Sequence, residues 1–194
     1  MIMTKTGLFF GSFNPIHIGH LAIANYMIEF SEIDELWFVV SPQNPLKKKQ
    51  SLLTDHHRLD MVRYAIDDDY RFDVSDIEFN MPKPSYTIDT LTYLEEKQPN
   101  RNFFLIMGSD GLKYFHKWKN ADILERKYHR LVYPRLGAPV ANESMHRNIS
   151  IMKAPQMEIS SSFIRESVKQ GKDIRHYMPL KAYNYMKNMH FYEK

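Results

Sequence analysis

The sequence predicts an α/β protein with a doubly wound parallel sheet, and three observations carry that prediction. Compact apolar runs alternate with longer stretches of helical periodicity along the whole chain. Two of the runs, Leu36–Val40 and Phe103–Met107, are apolar at every position. Unbroken runs of that kind are strands covered on both faces, as in a parallel sheet. The first run, Leu8–Phe10, passes through a Gly/Ser/Asn/Pro turn directly into a helical pattern.

Composition sets the outer bounds. The chain has 194 residues, 43% hydrophobic and 25% charged, enough apolar material for one domain spanning 1–194. A net charge of +3 is too small to argue for a nucleic-acid partner, yet suits a site that handles polyanionic nucleotides. With no cysteine, disulfides, zinc–thiolate sites and cysteine nucleophiles are excluded. Leu8–Phe10 is too short for a signal peptide, and no run approaches the ~20 apolar residues of a membrane span. A cytoplasmic protein without membrane partners is expected.

The elements follow in order. The strand Leu8–Phe10 ends in the turn Gly11–Pro15, and a long, mostly buried helix runs from Leu21 to Phe30. Leu36–Val40 is the second strand, followed by the loop Ser41–Gln50 with two prolines and three lysines, among them Lys47. Thr54 or Asp55 caps the next helix, which carries Leu59, Met61, Val62 and Ile66 and stops at Asp67–Asp69. Tyr70–Asn80 alternates and reads as strand. Pro82–Leu91 is a proline-rich loop opening a helix, and Asn102–Asp110 is a strand ending in glycine and aspartate. Leu131–Tyr133 and Ile149–Met152 are short strands separated by a loop-like segment. Serines at 160–162 cap a penultimate helix that Gly171 stops. A last helix from near Pro179 is expected to pack Leu180, Tyr183, Met186 and Met189.

The chemistry concentrates at the first turn. A strand feeding a helix through a tight turn aims the helix's unspent N–H groups at the loop, and that end attracts phosphates. His17 and His20 stand three apart at this helix start, a spacing that brings both imidazoles to one side. Gly19 between them carries no side chain to block a close ligand. A single histidine near a helix start is most often structural. Two of them, spaced H-x-G-H behind G-S-F-N-P and after a strand, are hard to account for by packing. The lysines of 47–49 are either a solvated charge run or a basic loop that meets phosphates at the strand's carboxyl edge.

Gly11-Ser12-Phe13-Asn14-Pro15-Ile16-His17-Ile18-Gly19-His20 resembles the H-x-G-H signature of the nucleotidyltransferase superfamily, with Phe10 standing where many relatives have a second glycine. Later segments resemble one branch of it, the bacterial nicotinate-nucleotide adenylyltransferases. These are Ser85-Tyr86-Thr87-Ile88-Asp89-Thr90-Leu91, Gly108-Ser109-Asp110 followed by Trp118, and Ile159-Ser160-Ser161-Ser162-Phe163-Ile164-Arg165. His57–Met61 is a weaker likeness. Lys119 departs from the pattern, since relatives often have an aromatic residue after the tryptophan.

The resemblance implies a Rossmann-like nucleotidyltransferase fold with C-terminal helices, and transfer of AMP from ATP to nicotinate mononucleotide. It implies catalytic roles for His17, His20 and Arg165. ATP would lie along Gly11, Ser12, Phe13, His17, Gly19, His20, Lys47, Gly108, Asp110, Ile159, Ser160, Ser161 and Arg165. Nicotinate mononucleotide would meet Asn14, Tyr86, Thr87 and Trp118, the last by stacking. Mg2+ is expected on the ATP phosphates, with no metal site of the protein's own. ATP and nicotinate mononucleotide are the implied partners, with no nucleic acid and the oligomeric state left open. A phosphopantetheine adenylyltransferase or a cytidylyltransferase would share H-x-G-H but lack the two later segments, and a non-catalytic nucleotide sensor would not need transition-state groups.

Overall fold

In a computed structural model of the chain, residues 3–42, 52–139 and 147–193 are described. Six strands form one sheet: β1 (Thr4–Gly11), β2 (Glu35–Val40), β3 (Phe72–Ser75), β4 (Arg101–Gly108), β5 (His129–Tyr133) and β6 (Ile149–Ile151). All neighbours are parallel, in the order β3-β2-β1-β4-β5-β6. The helices are α1 (Ile18–Phe30), α2 (Asp55–Ile66), α3 (Thr87–Lys97), α4 (Ser109–Lys113), α5 (Ala121–Lys127), α6 (Ser161–Lys169) and α7 (Leu180–Asn188).

Strand side chains alternate between the sheet's faces. Phe9, Phe38 and Ile106 join Met27, Leu59, Ile164, Ala182 and Met186 beneath α1, α2, α6 and α7. Leu8, Val39 and Leu105 join Leu91, Leu112 and Leu124 beneath α3, α4 and α5. This double cover is why the strands read as unbroken apolar runs. The strand order reverses between β1 and β4, and ligands bind beyond the carboxyl ends of strands at such a switch point. Gly11 and Gly108 end those two strands.

Several elements differ from the reading above. The first helix starts at Ile18, so His20 lies inside it and His17 is its N-cap. Tyr70–Asn80 is not one strand. Asp69 accepts from the Arg71 backbone N–H at 3.0 Å and pairs with its guanidinium at 2.6 Å, which makes a turn and throws Tyr70 out to 97% exposure. Only Phe72–Ser75 joins the sheet, and Ile77–Asn80 is a single 3-10 turn. In α7 the inward residues are Ala182 and Met186, four apart. Leu180 in its first turn is left 65% exposed, and Met189 lies beyond its end, also exposed. Gly171 does stop α6: at φ +72° its N–H bonds Val168 O, and that of Lys172 bonds Ser167 O. Lys47 lies outside the described residues.

Candidate active site

β1 delivers Gly11 to the switch point, and the next residues turn the chain into α1. Phe13 takes a left-handed backbone, φ +43°, and drives its ring inward against Phe9, Phe38 and His20. A Cβ on Gly11 would come within 2.7–3.0 Å of that ring, so a glycine is required there. Gly19 is small for a related reason: a Cβ would stand 3.1 Å from the His17 imidazole and 3.9 Å from Ile159. The space it frees belongs to His17.

The two imidazoles stack at 3.7 Å between centroids. The His17 backbone N–H donates to His20 Nδ1 at 3.2 Å. A backbone N–H can only donate, so Nδ1 is the unprotonated nitrogen and the proton of the neutral ring sits on Nε2. His20 is thereby held as a donor. His17 is 5% exposed, and burial, followed by the charge of Arg135, lowers its pKa to about 4. It is neutral at pH 7, and its buried Nδ1 has no hydrogen-bond partner among the described residues.

The start of α6 closes against the same turn. Ser160 Oγ caps the helix by accepting from Phe163 N–H at 3.1 Å, Ser161 Oγ donates to Pro15 O at 2.8 Å, and Arg165 Nη1 donates to Asn14 O at 2.7 Å. Ser161 spends its proton on Pro15 O, whereas Ser160 is engaged as an acceptor and keeps its O–H to donate, so α6 offers an anion that hydroxyl and its first-turn N–H groups. Ser12 lies half-buried in the turn, where its carbonyl accepts from Arg58. Asn14 is turned into the protein, 1% exposed, with Oδ1 accepting from Leu53 N–H at 3.3 Å and Tyr192 O–H at 2.6 Å. That geometry makes Asn14 a tie that holds the turn, while its Nδ2 is buried with no hydrogen-bond partner among the described residues and keeps its two protons to give.

Across the switch point, Gly108 lets Asp110 and Arg135 approach, their Oδ1 and Nε 3.5 Å apart. Arg135 also donates to Tyr133 O–H at 3.2 Å, and its charge reaches His17. Asp110 remains half-exposed. Beyond it, Tyr86 and Trp118 pack on one apolar cluster, Trp118 tilted on Phe115 at 5.4 Å with its Nε1 buried and unpartnered among the described residues. Lys119 is committed to Asp89 at 2.8 Å, its ammonium 4.9 Å above the Tyr86 ring.

Sequence reading missed two cations. Arg135 follows a buried strand directly in Tyr133-Pro134-Arg135, and its place at a strand's carboxyl edge was a usable signal. Arg58, fully buried, donates to Ser12 O, Ser41 O and Leu53 O and pairs with Asp55. Nothing local to a helix shows such a reach.

A family model described as cytidylyltransferase-like matches residues 8–167, which span the doubly wound sheet and the histidine turn, and makes the chain a nucleotidyltransferase. A probable nicotinate-nucleotide adenylyltransferase of Flavobacterium johnsoniae is 49% identical over 192 residues, covering 98% of this chain and 100% of the relative. One of Christiangramia forsetii is 49% identical over 191 residues, covering 97% and 98%. The solved structure of Plasmodium falciparum nicotinic acid mononucleotide adenylyltransferase complexed with NaAD superposes with a TM-score of 0.83 over 97% of each chain, a likeness of fold at 22% identity. The chain belongs to the nicotinate-nucleotide adenylyltransferase family. No helix among the described residues is long and apolar enough to cross a membrane.

Proposed function

We propose that this protein transfers AMP from ATP to nicotinate mononucleotide, yielding nicotinate adenine dinucleotide and pyrophosphate in NAD synthesis. An oxygen of the mononucleotide phosphate forms a bond to the α-phosphorus, and the bond from that phosphorus to the α–β bridging oxygen breaks. The attacking oxygen is already anionic, so no protein base has to remove a proton. Catalysis then rests on aligning the two phosphates and neutralising charge on the transferred group.

The observation that carries this reading is the hydrogen bond from the His17 backbone to His20 Nδ1, which holds Nε2–H as a donor at the start of a 13-residue helix. His20 is assigned to the α-phosphate. His17, neutral, supports it from beneath by stacking. Arg165 and the α6 N-terminus are assigned to the leaving pyrophosphate, Asp110 to a ribose, and Tyr86, Thr87 and Trp118 to the pyridine. Mg2+ would neutralise charge on the ATP oxygens. That ion would ride on the triphosphate and needs no protein cage of its own. With ATP as donor, we place the reaction in the cytoplasm.

The test is pyrophosphate release with ATP and a panel of acceptors. Release is expected with nicotinate mononucleotide and not with phosphopantetheine. Release with phosphopantetheine alone would overturn the acceptor assignment, and none with any acceptor would favour a nucleotide sensor.

A further inference from the structure

Glu78 is 2% exposed, and among the described residues no lysine or arginine pairs with it. A carboxylate buried without a cation is expensive, and an apolar side chain of the same size would cost less. Its surroundings show what it holds. Oε2 accepts from the Ser85 hydroxyl at 2.9 Å and Oε1 from the Thr90 hydroxyl at 2.8 Å. The Thr90 hydroxyl has one proton to give, and Tyr86 O, at 3.3 Å, is the more distant acceptor. The two donors bracket Tyr86 and Thr87, where the proline-rich loop becomes α3.

We propose that Glu78 is a positioning residue for the acceptor pocket, its two oxygens gripping Ser85 and Thr90 so that Tyr86 and Thr87 are presented to the mononucleotide in one fixed geometry. This rests on the assignment of Tyr86 and Thr87 to that substrate. An ionised carboxylate is an acceptor at both oxygens, so it takes both hydroxyl protons at once. A carboxamide has one acceptor oxygen and faces the other hydroxyl with N–H donors, forcing that hydroxyl to turn round. The 3-10 turn Ile77–Asn80, where the sequence pattern read as strand, is what aims Glu78 at α3.

The experiment is steady-state kinetics of Glu78→Gln with each substrate varied in turn, beside Tyr86→Ala. Expected is a KM for nicotinate mononucleotide raised about tenfold, as one lost charge-assisted hydrogen bond would give, with the KM for ATP within about twofold of wild type. A general loosening of the fold would raise both constants together, and that result overturns the proposal. So does an unchanged acceptor KM in Glu78→Gln when Tyr86→Ala raises it. An unchanged acceptor KM in Tyr86→Ala overturns the pocket assignment and this proposal with it. If Glu78→Gln does not fold, Ser85→Ala and Thr90→Val each remove one of the two donors. Each is then expected to raise the acceptor KM alone, and no change in either overturns the proposal.

Discussion

His20 and His17 share one motif and one helix start but are put to different use by their surroundings. His20 is half-buried with its tautomer set by a backbone N–H; His17 is sealed beneath it and neutral. His20→Ala should therefore cut turnover by about 10²–10³-fold, the usual loss when one preorganised donor is removed. Near-normal turnover with only a raised KM for ATP would defeat the assignment. His17 makes a different prediction, about stability. Its proton binds near pH 6.5 in the unfolded chain and near 4 in the folded one, so the unfolded chain holds more protons between those values. Stability is complete above pH 6.5 and falls as pH drops towards 4, by about 3 kcal/mol at ~1.4 kcal/mol per pH unit. His17→Asn should lack this component. Denaturant titrations of both proteins at pH 7 and 4 measure it, and equal losses would refute the account.

At the scale of elements, the assignment of the pyridine to the start of α3 makes a prediction about which mononucleotide is accepted. Nicotinate and nicotinamide differ as carboxylate against carboxamide, so a selective pocket has to favour an anion. The first-turn N–H groups of α3, at Thr87 and Ile88, have no intrahelical acceptor and lie at the positive end of the helix. Lys119, which departs from the pattern of the relatives after the tryptophan, is held on Asp89 and is partly neutralised there. Selectivity then falls to the helix start. Two charge-assisted hydrogen bonds at about 1.5–3 kcal/mol each give a preference for nicotinate of roughly a hundredfold or more in kcat/KM. The ratio for the two mononucleotides at fixed ATP measures it, and a value near one would defeat the argument.

Across the whole molecule, the turn Ser12–Pro15 is held by segments far apart in the chain. Arg58 of α2 takes Ser12 O, Arg165 and Ser161 of α6 take Asn14 O and Pro15 O, and Tyr192 takes the Asn14 side chain. Arg58 is the hub, because the same guanidinium also takes Ser41 O at the end of β2 and Leu53 O before α2. Arg58→Met keeps the volume but strands three carbonyls and leaves the Asp55 carboxylate to Lys83 alone. It should destabilise the fold by about 3 kcal/mol or more and lower turnover. Unfolding in denaturant measures the stability, and a loss under about 1 kcal/mol would mean water satisfies those carbonyls.

What was legible in the sequence is what local chemistry encodes. Unbroken apolar runs announced β1, β2 and β4; the Ser160 cap and Gly171 announced the ends of α6; and the G-S-F-N-P turn announced the passage from β1 into α1. Each depends on residues within a turn or a strand of one another. The tertiary structure decided the rest. Tyr70–Asn80 alternates like a strand, yet the Asp69–Arg71 pair and the reach of Glu78 to α3 broke it into a short strand and a 3-10 turn. Nothing near Asn14 in the sequence shows that Tyr192, 178 positions away, donates to its side chain. The partners of Arg58 and Arg135 are likewise distant in sequence. Periodicity reports which face of an element is buried, whereas a hydrogen bond between far segments exists only once the sheet has brought them together.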